Sequence, residues 1–108
     1  MTRREFARAK RRINCNLMVD GTQYLGVVRD LSPKGFFVQT HAKAPVGSRV
    51  VVHLHLVGGN SFELQATVAS RRETPRRLAV LAHAGIGCQL SAPAPEGYYH
   101  FLADITGS

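Results

Sequence analysis

Arginine is the residue whose type and spacing point most directly to chemistry in this chain. Residues 1–12 carry Arg3, Arg4, Arg8, Lys10, Arg11 and Arg12 against Glu5 alone, a local excess of five positive charges. Arg4 and Arg8 are separated by three residues, in Arg4-Glu5-Phe6-Ala7-Arg8. A guanidinium is a planar fork of N–H donors that matches phosphate oxygens and the O6/N7 edge of guanine, and its face stacks on bases. From charge alone, a solvated basic tail is an equally good reading. The second feature is Asp30-Leu31-Ser32-Pro33-Lys34-Gly35, which begins 22 residues after Arg8. Between strands, a D-x-S-x-x-G segment reads as a turn, with Asp and Ser bonding nearby backbone and Gly supplying a positive φ. The same carboxylate and hydroxyl also offer an acceptor and a donor to a polar ligand.

Other chemistry finds little support. The acidic residues are few and scattered, with no obvious acid–base pair. Ser32 lies in DLSPKG, which lacks the G-x-S-x-G elbow of a hydrolase. His53 and His55 share one face of a strand and could chelate a metal, but no third ligand accompanies them. They read as solvent-facing, opposite an apolar Val52, Leu54 and Leu56 face. Gly58-Gly59 lacks the helix and lysine of a phosphate-cradling loop. The expectation is therefore a binding protein without metal or cofactor, and no enzyme.

These residues must be positioned by a small framework. The chain has 108 residues, room for one domain, with 14 Lys plus Arg against 7 Asp plus Glu and a net charge of +7. That excess raises the local concentration of anions. No apolar run approaches the ~20 residues of a membrane span. No secretory signal follows the basic start, and the widely separated Cys15 and Cys88 form no disulfide framework. A cytoplasmic setting is expected.

The apolar pattern is of period two. Ile13, Cys15, Leu17 and Val19 alternate with Asn14, Asn16 and Met18, then Asp20-Gly21 gives a two-residue hairpin and TQYLGVVRDL returns. FFVQT, SRVVVHLHLV and SFELQATVASRR read as further strands, the last with Phe62, Leu64, Ala66 and Val68 on one face. At least one of Phe36 and Phe37 belongs in the core, and HAKAPVGS and RRETPRR read as loops. LAVLAHAGIGCQL holds one or two more strands, and Tyr98, Phe101, Leu102 and Ile105 have helical spacing after Pro95-Glu96. Six or seven short antiparallel strands and one short helix predict an all-β fold, a small β-barrel with the helix covering an open end or edge.

The two motifs, in this order and on this β pattern, resemble the PilZ domain family. That family is a small six-stranded antiparallel β-barrel with a flexible N-terminal arm and a short C-terminal helix, and it binds the bacterial second messenger cyclic di-GMP. Its RxxxR motif matches Arg4 to Arg8, and its [D/N]xSxxG motif matches Asp30 to Gly35. Arg8 and Arg12 also form RxxxR, but the strand pattern starts at Ile13, so Arg12 adjoins the first strand and Arg4/Arg8 is the better register. The division implied is an arm over residues 1–12 and a barrel with its helix over 13–108.

The resemblance implies roles residue by residue. Arg4 and Arg8 contact phosphate and guanine, Asp30 and Ser32 contact the other guanine, and Gly35 gives clearance and the turn. Arg3, just before the motif, favours an intercalated dimer of cyclic di-GMP. Gly85 and Gly87 fall where the family often has glycine. Gly87 is taken as a point of ligand approach, with a bulge or tight strand crossing as the competing reading. Arg71, Arg72, Arg76 and Arg77 match no ligand motif of the family and read as a solvated loop, with a surface for a partner as the competing reading. A receptor of this kind passes its signal to an effector protein, in motility, attachment or exopolysaccharide output, through ordering of the arm. Two other readings stand beside it: a PilZ-like interaction module that binds no nucleotide, and a small basic barrel for single-stranded nucleic acid. The intact motifs count against the first, and the few aromatics against the second.

Overall fold

The computed structural model describes residues 12–56, 58–73 and 84–106. Six strands run in order, β1 (Ile13–Val19), β2 (Thr22–Arg29), β3 (Gly35–Thr40), β4 (Arg49–His55), β5 (Ser61–Arg72) and β6 (Gly85–Leu90), followed by helix α1 (Glu96–Thr106). They close into an antiparallel barrel in the order β1-β2-β3-β6-β5-β4, with β4 returning to β1.

Period-two patterning becomes an inside and an outside. Ile13, Cys15, Leu17 and Val19 point inward from β1, and Val50, Val52 and Leu54 from β4. Leu64, Ala66 and Val68 of β5, Val28, Phe36, Val38, Ile86 and Cys88 complete the packed interior. His53 and His55 face solvent, as the alternation requires, and His53 Nε2 lies 3.3 Å from Glu63 Oε1 on the neighbouring strand. The Asp20-Gly21 hairpin takes φ of 49° and 79°, the two left-handed residues of a type I′ turn. Residues 41–48 form the expected loop, yet Ala42 and Ala44 are buried in the core, which the loop composition did not announce.

The helix caps one end of the barrel. The aromatic ring of Tyr98 meets Phe62, near the start of β5, edge-on at 6.3 Å, and Phe101 approaches the same ring at 6.3 Å. Tyr98 and Leu102 are buried in the same cluster as the strand interiors. The helix starts where the sequence suggested, with the Tyr98 amide donating to the Pro95 carbonyl at 2.9 Å. No helix among the described residues is long and apolar enough to cross a membrane.

Both cysteines are free and buried. Burial pushes the Cys15 thiol up from 9.0 to about 12, and burial with the neighbouring Cys15 does the same to Cys88. Burial also pushes the Tyr98 hydroxyl up. In the unfolded chain these groups release protons first, so stability is fully present below about pH 9 and declines as pH rises towards 12. Denaturant midpoints measured across that interval are expected to fall. A thiol reagent at mildly alkaline pH is expected to label neither cysteine in the native protein and both after unfolding.

Candidate functional site

Asp30, Ser32, Gly35 and Gly87 are brought together on the outer wall of the barrel. They line a depression of about 390 Å³ floored by β3, β5 and β6, together with Phe37, Ser70, Arg72 and Gln89. The strand register explains the grouping. Phe37 of β3 pairs with Gly87 of β6, and Gly87 pairs with Ser70 of β5, so the three stand in one row across the wall. The next rows are Gly35, Gln89 and Thr67 on one side and Gln39, Gly85 and Arg72 on the other. A register shift between Val68 and Ser70 leaves Ala69 as an extra residue and turns the end of β5 outward.

The turn from β2 to β3 is held on three sides. Leu31 is fully buried in the core. The Ser32 hydroxyl accepts from the amides of Lys34 and Gly35 at 3.3 and 3.2 Å and donates to the Gly35 carbonyl at 3.1 Å. The Tyr98 hydroxyl of α1 donates to the Ser32 carbonyl at 3.0 Å. Ser32 thus has its one donor and its acceptor positions committed to the turn. Asp30 takes φ of 54°, a left-handed conformation that Asp tolerates better than most residues. Its carboxylate has no ion-pair partner among the described residues and lines the depression.

The expected role of Gly35 needs correction. Its φ is not positive; the left-handed residue of the segment is Asp30. A Cβ at Gly35 would overlap the Cys88 carbonyl of β6. Glycine is required there because two backbones touch, and not because of a positive φ. Gly85 is similar, since a Cβ would overlap the Val38 carbonyl and come within 2.8 Å of the Phe37 ring. At Gly87 a Cβ would meet only the flexible end of the Ser70 side chain. Gly87 is therefore the glycine of β6 whose bare position opens onto the depression.

Arg3, Arg4 and Arg8 lie outside the described residues, as do Arg76 and Arg77. Sequence reasoning missed Phe37, Ser70, Arg72 and Gln89. Arg72 was assigned to a solvated cluster; in the fold it ends β5 and lies over the Phe37 ring, 4.6 Å from its centroid. The signal that was available is the loss of alternation after Val68, where Ala69 and Ser70 are both exposed. Among the described residues no group of three His, Cys, Asp or Glu side chains is placed to hold a metal ion.

The sequence profile of the PilZ domain matches residues 2–104. The chain belongs to the PilZ domain family. Comparison with the curated proteins finds no match. Among solved structures, the fold is similar to the Bacillus subtilis inhibitor of motility MotI/DgrA, with a TM-score of 0.76, 14% identity, 98% of this chain covered and 50% of that one. The present chain thus spans about half the length of MotI. It is also similar to the PilZ domain of YcgR from Escherichia coli, described with cyclic di-GMP, with a TM-score of 0.73, 15% identity and 98% and 91% of the two chains covered. A third is the PilZ domain of CeSA from a cellulose-synthesizing bacterium, with a TM-score of 0.60, 18% identity and 93% and 95% covered. At these identities the likeness is one of fold.

Two substitutions test the construction of this PilZ site without any ligand. Gly35→Ala is expected to lower unfolding stability by about 1–3 kcal/mol, because strand β3 must back away from β6. Tyr98→Phe is expected to cost about 0.5–1.5 kcal/mol by removing the hydrogen bond to the turn. Both are read from denaturant titrations.

Proposed function

We propose that this PilZ domain is a receptor for cyclic di-GMP. One observation carries the reading: the fold gathers an Asp30 carboxylate, without an ion-pair partner among the described residues, with the bare Gly87 position and the exposed Arg72 in a single depression on the barrel wall. The ligand offers two phosphate anions and two flat purines with N–H edges. A carboxylate accepts guanine N1–H and N2–H₂, a bare strand position admits a flat ring, and arginines match the phosphates. Family membership and the YcgR domain described with cyclic di-GMP support the same assignment.

In this reading residues 1–12 form an arm beside the barrel of 13–108. Arg4 and Arg8 close over ligand lying in the depression, contacting phosphate and guanine. Ser32 and Gly35 shape the turn that presents Asp30. Arg3 favours an intercalated ligand dimer. The protein works as an adaptor in the cytoplasm: ordering of the arm creates a surface for an effector protein, in motility, attachment or exopolysaccharide output. Ligand shifts that equilibrium only by its difference in affinity for the two arm states. No catalytic step is required of the domain.

Calorimetric titration with cyclic di-GMP tests the assignment. Arg8→Ala is expected to abolish measurable binding, since truncating a buried charge-paired contact costs about 2–5 kcal/mol. Asp30→Asn is the better probe of the carboxylate than Asp30→Ala, because Asn also accepts the left-handed backbone, and a sharp drop in affinity is expected. Arg3→Leu is expected to change the ligand-to-protein ratio; an unchanged ratio removes the intercalated dimer. Absence of heat at micromolar ligand defeats the receptor reading and favours a protein-interaction module. Salt-sensitive retention of single-stranded DNA in its place favours a nucleic-acid-binding barrel.

A further inference from the structure

Strand β5 ends in two adjacent arginines, and the structure gives them different surroundings. Arg71 Nη2 lies 3.3 Å from Glu73 Oε2, so its charge is met locally. Arg72 has no carboxylate partner among the described residues. Its guanidinium lies over the Phe37 ring at 4.6 Å instead. That contact crosses a whole strand. Phe37 belongs to β3 and Arg72 to β5, and β6 runs between them. Two strand spacings amount to roughly 9–10 Å, within reach of a long arginine only if nothing stands in the way. The residues of β6 opposite Arg72 and Phe37 are Gly85 and Gly87, which carry no side chain. The Phe37 ring reaches over Gly85, within 2.8 Å of where a Cβ would stand, and Arg72 meets the ring there.

The result is a cation supported by a ring. The guanidinium carbon of Arg72 sits over the ring of Phe37, which is half-buried in the wall. Arg72 is itself exposed and lines the depression that holds Asp30. An arginine already held over one ring loses less freedom when a second ring stacks on it than one waving in solvent. We infer that the Phe37–Arg72 stack is a base platform, on which one purine of the ligand lies flat while Asp30 engages a guanine edge. This deepens the receptor reading and rests on it. It assigns binding to a residue of β5 that belongs to neither the arm motif nor the Asp30–Gly35 segment.

Titration of the full chain with cyclic di-GMP, comparing Arg72→Ala, Arg72→Lys and Phe37→Leu with the unaltered protein, tests the platform. Arg72→Ala is expected to weaken binding about tenfold or more. Arg72→Lys keeps the charge and loses the plane, so it is expected to weaken binding by nearly as much while the dependence on salt concentration stays that of the unaltered protein. Phe37→Leu removes the support and is expected to fall between. Melting temperatures of the two Arg72 variants should match the parent, because the side chain is exposed. Parental affinity in Arg72→Lys would reduce Arg72 to a point charge and overturn the platform; parental affinity in Arg72→Ala would overturn any role for it. In either case, loss of binding in Arg8→Ala would leave the receptor reading intact. No binding by the unaltered chain would defeat both.

Discussion

The closeness of β3 and β6 governs the rest of the site. At Gly35 the backbone of one strand lies against the Cys88 carbonyl of the other, and at Gly85 the relation is repeated with the Val38 carbonyl. Side chains at these positions would force the strands apart. Removing them flattens the outer wall over three strands while the inner wall keeps its full complement of Phe36, Val38, Ile86 and Cys88. The site is therefore cheap to build, since it costs the core no packing. Gly35 and Gly87 contribute bare backbone to its lining, and its chemistry comes from the side chains of Phe37, Ser70, Arg72 and Gln89 and from Asp30 at the rim.

The rim is fixed from below. Leu31 plunges into the core beside Ser32, whose hydroxyl ties the turn to its own amides. Between them they set Asp30 in a conformation that most residues avoid. Tyr98 then connects this turn to the helix, from a position fully buried against Phe62. Turn and helix are consequently one mechanical unit: a shift of the Ser32 carbonyl is felt at the Tyr98 hydroxyl, in a helix that also caps the barrel through Leu102 and its aromatic side chains. A carboxylate set in place by its own turn carries little ordering cost when a partner group meets it.

Much of this was legible in the residue order. Strict alternation from Ile13 to Val19 and from Phe62 to Val68 fixed which side chains face inward, and Asp20-Gly21 fixed the first hairpin with its two left-handed residues. The D-x-S-x-x-G segment was recognisable as a turn that could also bind. Its internal division of roles was not, because a glycine forced by a neighbouring backbone looks the same in sequence as a glycine forced by its own φ. Arg72 was hidden for a related reason. Its significance depends on what lies two strands away, and the break in alternation after Val68 does not say which residues the shifted end of β5 will face. The buried Ala42 and Ala44 were equally silent, being small residues in a stretch punctuated by Pro45 and Gly47.

Closure of the sheet has its own consequence. Every strand from β1 to β6 has a hydrogen-bonded neighbour on both sides. An open sheet can recruit another protein by accepting an added strand along its exposed backbone, and it risks the same contact with copies of itself. Along its paired stretches this barrel has no such backbone to lend. Communication with the outside must pass through side chains, loops and the terminal segments, which makes each docking event erasable by a few surface substitutions and leaves the scaffold untouched.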